Sequence, residues 1–592
     1  MSNGNCVQRI PTDTLIERLM DIILRNEKDG NTYISFAKWK SFASKLVERE
    51  ILKVKEKCDF CDDCELGDEG CVFFMKNYVA HFLSRFINQM MDSGVISCFF
   101  YQDGRVQLIP ALDSKMDIPD DLNIASAETF RAEQFIASQI VKRSNRRFGI
   151  DDEALTAAIT DFSAEKLFTI TKKQEETIRN ALSFGFNIID GGPGTGKTTI
   201  VSILTNYYHR IYPRKVYCAA PTGRAAKRMS DVIGGPASTI HRLLGSFFDE
   251  EESIIGYYFN QENPIPGRVF IVDEASMMDT NIFEALMRAI PQDAILILVG
   301  DSNQLPSVGA GKILEDLISS SIVNVFSLDE NFRQSKNSLI LENARRVLRG
   351  ESMIFDQERS DSSCQLISME LPEEMEIAVV ALLRRLEKEN IMFTWQNVAI
   401  LCPQKSGVAR VDHLNKLLQK EFKVPSQCDP LEYNGAYFQE HDRVIQTKNN
   451  YQLIYKEYSG RTGKGVFNGD LGTVSAVGYR SGGSISVHFD DGHDVIYDWN
   501  SLSGLELGFA MTVHKSQGGE FDDVILVLPK GSSLIYHRNV LYTAITRARK
   551  RLFVIGSEDT IERMAKRKVV HKRCTALPAL LQTFRERMAE KR

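Results

Sequence analysis

No stretch of this 592-residue chain stays apolar long enough to cross a bilayer, and Met1 to Arg9 do not lead into an apolar core of signal-peptide length. A cytoplasmic protein with no membrane partner is therefore expected. Positive charge is not in excess either: 72 Lys and Arg stand against 78 Asp and Glu, a net charge of −6. That balance excludes a protein that coats duplex nonspecifically, so a nucleic-acid groove here has to be a local positive strip or one shared with a partner. Repeats of solenoid period and low-complexity tracts are missing as well. Cysteines are few, 11 in all, and most are scattered as in a reduced protein. What is left is an ordinary globular composition, 43% hydrophobic, with length for about four domains.

Chemistry enters at residues 190–199. Asp190 is followed by Gly191, Gly192, Pro193, Gly194, Thr195, Gly196, Lys197, Thr198 and Thr199, spelling G-x-x-x-x-G-K-T behind the apolar run Phe186 to Ile189. Glycines let backbone N–H groups turn toward phosphates, and the helix that starts near Lys197 points its positive end at them. Lys197 then supplies a point charge to the β and γ oxygens of ATP, and Thr198 a hydroxyl to Mg²⁺. Downstream, the buried-strand pattern Val269-Phe270-Ile271-Val272 ends in Asp273-Glu274. Asp273 is placed for the Mg²⁺ shell and Glu274 for the attacking water as general base. A third apolar run, Ala294 to Val299, leads into Gly300 to Pro306 and puts Gln304 where it can sense the γ-phosphate. Arg333, in Asn331-Phe332-Arg333-Gln334, and Arg547, in Tyr542 to Ala548, are the candidate cations delivered from a second domain.

Taken in order, these segments resemble superfamily 1 helicases. Further matching stretches are Thr171-Lys172-Lys173-Gln174, Ala220 to Ala226, Ser238 to Leu244 and Thr512 to Glu520. The wording A-P-T-G-R-A-A and S-T-I-H-R-L-L, with Phe467 to Gly472 between, resembles the RecD branch, whose members translocate 5′→3′. One departure is Gly519, where Ser is expected. The resemblance implies an α/β fold with two RecA-like P-loop motor domains, a helical N-terminal domain and a small SH3-like β insertion. It also implies that Gln174 reads adenine, and that Thr222, His241, Thr512 and His514 contact a single strand held between the motors. The Lys572 to Leu581 tail is similar to the ending of the alpha subunit of exodeoxyribonuclease V, and no helix-hairpin-helix array like that of the longer stand-alone relatives precedes the motors. Both point to RecB- and RecC-like partners in a heterotrimer that acts on duplex ends and their single strands in double-strand-break repair. A stand-alone helicase of the same branch and a non-motor ATP-binding subunit are the alternatives. Intact Lys197, Asp273, Glu274, Arg333 and Arg547 argue against the latter. No metal-dependent nuclease constellation is evident, so nuclease activity is expected of a partner.

The expected domains are 1–160 (helical adaptor), 161–325 (first motor), 326–435 with 508–592 (second motor) and 436–507 (the insertion). An acidic, aromatic stretch from Phe247 to Gln261 reads as a small hairpin inserted in the first motor. The adaptor holds Cys58, Cys61, Cys64 and Cys71, a C-x₂-C-x₂-C-x₆-C run. In a reducing compartment such a run points to a metal rather than to disulfides. Its consecutive two-residue spacings are closer to an iron-sulfur (4Fe-4S) run than to the separated knuckles of zinc, and Zn²⁺ and a metal-free acidic loop stay open beside it.

Overall fold

The computed structural model describes residues 12–590 apart from 57–78, 80–81, 110–119, 167–168, 250–253, 329–337, 357–362, 390–393, 427, 459, 479–482, 533–534 and 569–572. The cysteine run and Arg333 lie outside these described residues.

Two parallel sheets form the frame. In the first, neighbouring strands run Asn324–Leu328, Phe186–Gly191, Ile295–Gly300, Val269–Val272, Val216–Ala220, Ala237–Thr239, and every pairing is parallel. Val269–Val272 and Ile295–Gly300 are buried along their whole length, as unbroken apolar runs require when helices cover both faces. The ends of Phe186–Gly191, Val269–Val272 and Ile295–Gly300 therefore emerge together at one edge, where open α/β sheets place ligands. The second sheet, Cys364–Ser368, Ala548–Gly556, Phe521–Leu528, Val398–Cys402, Ala510–Thr512, is parallel throughout. Between its strands the chain makes a seven-stranded antiparallel sheet from Arg443–Gln446 to Leu505–Leu507, closed over Val474, Ile485, Val487 and Tyr497. The expected hairpin is present as Ser246–Asp249 paired with Ile254–Tyr257, and Phe247, Phe248 and Ile255 on it are exposed.

The N-terminal region is not helical alone. Helices Thr12–Lys28 and Phe36–Glu56 lie with a four-stranded antiparallel sheet built on Ile96–Gln102. That strand is rich in aromatic and β-branched residues, and it turns into Arg105–Leu108 through Asp103 and Gly104, both at positive φ (51° and 75°). Asp-Gly with two left-handed residues is the tight hairpin turn that matches strand twist. Helical spacing in the flanking segments masked this short β unit.

Both ends of the chain join the first motor, which differs from the expected boundaries. Helix Ala127–Ser144, expected in the adaptor, buries Ile136, Ala137 and Ile140 in the same core as Phe270 and Leu296. Its Arg143, fully buried, donates to the carbonyls of Ile290 (3.0 Å), Pro291 (3.0 Å) and Ala294 (2.8 Å). The final helix, Leu577–Glu590, expected with the second motor, places Leu577, Leu580 and Leu581 in that first core. Just before it, Arg573 donates to the carbonyls of Ser307 (2.6 Å), Gly309 (3.1 Å) and Gly311 (2.6 Å). Thr32 N donates to Cys574 O at 2.8 Å, and Glu133 accepts from Thr32 Oγ1 (3.0 Å) and Ala576 N (3.2 Å). Amphipathic spacing shows that a helix has a buried face, and leaves open which core that face enters.

Candidate active site

The phosphate loop follows its strand and opens helix Lys197–Ile211, with Gly194 (φ 75°) and Gly196 (φ 86°) in the left-handed conformation that an L side chain resists. Thr195 Oγ1 donates to Gly192 O at 2.8 Å and braces the loop. Lys197 Nζ lies across it, donating to the carbonyls of Gly191 and, at 3.0 Å, Gly192. A methyl group on Gly192 would stand 3.0 Å from the hydroxyl of Tyr542, so the loop touches the second motor directly. Gln174 forms a capping box with Thr171 at the start of helix Lys172–Leu182: its N–H donates to Thr171 Oγ1 (3.2 Å) and its Oε1 accepts from Thr171 N (3.0 Å). Its Nε2 is buried and has no hydrogen-bond partner among the described residues, an amide donor left for a ligand.

Asp273 and Glu274 stand at the tip of Val269–Val272. Glu274 takes a left-handed backbone (φ 52°, ψ 40°), a costly conformation for a non-glycine residue that persists where the surroundings impose it. Arg228, which the sequence reading did not single out, reaches both acids: its Nη2 donates to Glu274 Oε1 at 2.8 Å and to Asp273 Oδ2 at 3.3 Å. Burial pushes the Asp273 carboxyl above the usual range. Burial acts on Glu274 in the same direction, yet Arg228, then Arg547 and Lys197, outweigh it and hold that carboxyl below the usual range. Thr198 is exposed in the first helical turn. Its hydroxyl and the Asp273 carboxylate are the hard oxygen donors that Mg²⁺ prefers.

The opposite wall belongs to the second motor. Arg547, 2% exposed, donates to Gln304 Oε1 (3.0 Å), Gly519 O (3.1 Å), Thr543 O (3.2 Å) and Thr546 Oγ1 (3.2 Å). Gln304 Nε2 in turn donates to Asp301 Oδ2 at 3.2 Å, and the Tyr542 hydroxyl donates to the same oxygen at 2.8 Å. Thr543 Oγ1 accepts from Leu305 N at 3.1 Å, while Gln517 Nε2 donates to Leu305 O at 2.7 Å. Lys197, Asp273, Glu274, Gln304 and Arg547 thus line one cleft between the motors. Sequence reading missed Arg228, Asp301 and Tyr542 as members of it. The available signal was an arginine next to Ala225, Ala226 and Met229, the apolar, buried positions of its helix.

The four expected DNA contacts are not gathered as closely. Thr222 caps helix Gly223–Ile233 by accepting from Ala225 N at 3.3 Å, and a Cβ on Gly518 would stand 2.5 Å from its Oγ1. Thr512 likewise accepts from Lys515 N at 3.3 Å, with His514 exposed in the turn between. His241 is turned to the β insertion, its ring 5.2 Å from that of Phe467 and stacked on it. Burial there pulls its imidazole down to about 4, so it is neutral at physiological pH. Gly519, where Ser is expected, packs against Arg224: a Cβ there would meet Nη1 at 2.9 Å, the end of a side chain that can shift. Among the described residues no group of three or more His, Cys, Asp or Glu is placed to hold a metal ion, and no helix is long and apolar enough to cross a membrane.

Three segments of the chain match known protein families. Residues 169–364 match an AAA domain, residues 414–489 the SH3 domain of ATP-dependent RecD-like DNA helicases, and residues 507–555 a UvrD-like helicase C-terminal domain. The chain is 33% identical over 388 residues to the ATP-dependent RecD2 DNA helicase of Deinococcus radiodurans, covering 66% of this chain and 49% of that protein. It is 30% identical over 432 residues to the RecBCD enzyme subunit RecD of Mycolicibacterium smegmatis, covering 67% and 73% of the two chains. Against the same subunit of Haemophilus influenzae the identity is 26% over 547 residues, covering 77% and 79%. The chain therefore spans about half the length of the first relative and about three quarters of the other two. The nucleotide loop, the acid pair and Gln304 all fall within the first matched segment and Arg547 within the last, and the chain belongs to the RecD-like family of ATP-dependent DNA helicases.

Proposed function

We propose that this protein is the 5′→3′ motor subunit of a RecBCD-type helicase-nuclease, working with RecB- and RecC-like subunits on duplex ends in the cytoplasm and drawing a single strand between its motor domains. The observation that carries the motor reading is Arg547 of the second motor meeting Gln304 of the first across the nucleotide cleft. A cation supplied from the second motor makes hydrolysis depend on how the two domains are closed. ATP would lie with its phosphates in the loop, Lys197 on the β and γ oxygens, and adenine against the free amide of Gln174. Glu274, kept charged by Arg228, Arg547 and Lys197, takes a proton from the attacking water as its oxygen bonds to the γ-phosphorus. The bond to the β–γ bridging oxygen breaks, and that oxygen leaves on ADP. Thr198 and Asp273 would hold Mg²⁺, which neutralises phosphate charge when bound. Arg333 is proposed as a second cation toward the γ-phosphate. Thr222, His241, Thr512 and His514 are proposed as strand contacts, with His241 free to stack on a base once Phe467 moves aside.

Similarity to relatives named RecBCD enzyme subunit RecD, at 30% and 26% identity, supports the subunit reading. The higher identity to RecD2, 33%, favours a stand-alone helicase as the second reading. Unwinding of 5′- and 3′-tailed duplexes, by the chain alone and with RecB- and RecC-like partners, separates them. Activity on 5′ tails that requires the partners supports the subunit. Full activity alone supports the stand-alone form, and unwinding only from 3′ tails refutes both. Cys58, Cys61, Cys64 and Cys71 are proposed as a metal staple, iron-sulfur or zinc, in the N-terminal domain.

A further inference from the structure

We propose that Arg228 is a positioning residue of the ATPase, one that ties the helix behind Thr222 to Glu274 and, through Glu520, to the second motor. The inference rests on the motor reading above and adds to it a link between strand binding and hydrolysis.

The guanidinium of Arg228 is shared by acids of both domains. One nitrogen donates to Glu274 (2.8 Å) and Asp273 (3.3 Å) of the first motor, and the other donates to Glu520 Oε1 (3.0 Å) beside the second sheet. Glu520 is held from its far side by Arg549 Nε at 3.0 Å. A rigid planar fork serves partners in two directions at fixed geometry, whereas a lysine ammonium is a compact charge with rotatable donors on a flexible stem and fixes no such geometry. The mount is equally defined. Helix Gly223–Ile233 begins at the Thr222 cap, and Arg228 lies six residues on, about 9 Å along a rigid helix. Arg224, four residues before Arg228 and so on the same face, donates to Asp490 of the β insertion at 2.9 Å and lies over the Phe521 ring. The helix therefore has Thr222 at one end, Glu274 beside its middle, and the Gly518 to Phe521 segment along one face. A displacement of Thr222 by a bound strand moves the group that aims the general base. If Arg228 served only to brace the interface, Glu520 would be a sufficient partner; its second nitrogen sits instead on the residue that accepts the proton.

The test compares the full-length parent with Arg228→Gln, Arg228→Lys, Glu520→Gln and the Arg228→Gln/Glu520→Gln double variant. Initial hydrolysis rates give kcat and KM with and without oligo-dT, a fluorescent ADP titration gives nucleotide Kd, and thermal melts report folding. Arg228→Gln is expected to lower kcat about a hundredfold, the range for a misplaced reacting group, with nucleotide Kd within about threefold of the parent. Glu520→Gln is expected to lower kcat less, and the double variant to be no worse than Arg228→Gln, because both act through one guanidinium. In all of them the stimulation of kcat by oligo-dT should shrink. Arg228→Lys keeps the charge and carries the test if Arg228→Gln does not fold: it should lower kcat about tenfold at unchanged Kd. Parent-like kcat in either Arg228 variant, weakened Kd at unchanged kcat, or multiplied losses in the double variant would each overturn the proposal. A parent without oligo-dT stimulation would fail the motor reading, and the basal kcat values would still decide the role of Arg228.

Discussion

Replacing Arg547 with alanine should remove hydrolysis while leaving nucleotide binding nearly intact. The guanidinium is buried and satisfies Gln304 Oε1 and Gly519 O, one acceptor from each side of the cleft, besides two groups of its own segment. Truncation withdraws a donor from the two acceptors that face each other across the cleft, Gln304 Oε1 and Gly519 O, at about 1–3 kcal/mol apiece, so stability should fall by about 2–6 kcal/mol. The loss of a finger cation costs about a thousandfold in kcat, equivalent to about 4 kcal/mol of transition-state stabilisation. Arg547→Lys separates the two effects, since a point charge recovers part of the stability but cannot make the four-acceptor set. Steady-state hydrolysis for kcat, fluorescent ADP for Kd, and urea unfolding for stability measure all three quantities. A folded Arg547→Ala variant that hydrolyses ATP within about tenfold of the parent would refute the reasoning and leave Arg547 as a cross-brace between the motors.

Lys197→Gln should abolish ATP-dependent unwinding, because the γ-phosphate loses its fixed cation, while DNA binding without nucleotide largely survives; unwinding at the parent rate by a folded variant would contradict this. The buried acids behind the tail make stability depend on pH. Burial, then the charge of Asp316, pushes Glu133 up to about 8, and burial raises Asp316 to about 7. Both lie above their unfolded values, so their contribution is complete below about pH 4 and is lost as pH rises through 7 and 8. Melting temperature should fall from pH 6 to 9, and Glu133→Gln should flatten that decline; an unchanged slope in the variant would dispose of the assignment. Cys61→Ser with Cys64→Ser should weaken the N-terminal domain and partner assembly more than hydrolysis by the folded motor. Anaerobic purification followed by metal analysis and visible absorption distinguishes iron with sulfide from zinc, and a metal-free, normally folded protein removes the staple.

The motor segments were readable because each piece is local. Gly191 to Thr198 encode their own cradle through backbone freedom and the start of a helix, and Asp273-Glu274 follow a run too apolar to be anything but a buried strand. Parallel pairing then places their ends side by side, so chain order and wording alone assemble Lys197, Asp273, Glu274 and Gln304. Hydrophobic spacing was weaker evidence for membership. Ala127–Ser144 and Leu577–Glu590 both bury in the first motor, where Arg573 and Glu133 fasten the tail, and no local pattern says which core a helix face enters. The sheet built on Ile96–Gln102 went unread for the related reason that one of that strand's two neighbours, Asn123–Ser126, lies more than twenty residues away.

By itself, then, the sequence determined that two motor-type α/β domains share one chain and that the glycine loop and the acid pair stand at strand ends, because loops and buried strands are specified within a few residues. Only the tertiary structure decided that Arg228 serves both motors, that Tyr542 and Asp301 close the cleft behind Gln304, and that His241 lies stacked under Phe467. Those relations join residues dozens to hundreds of positions apart. They are set by which surfaces the domains bring together, and an arginine on a helix face has the same local spelling whether it meets water or a carboxylate from across the cleft.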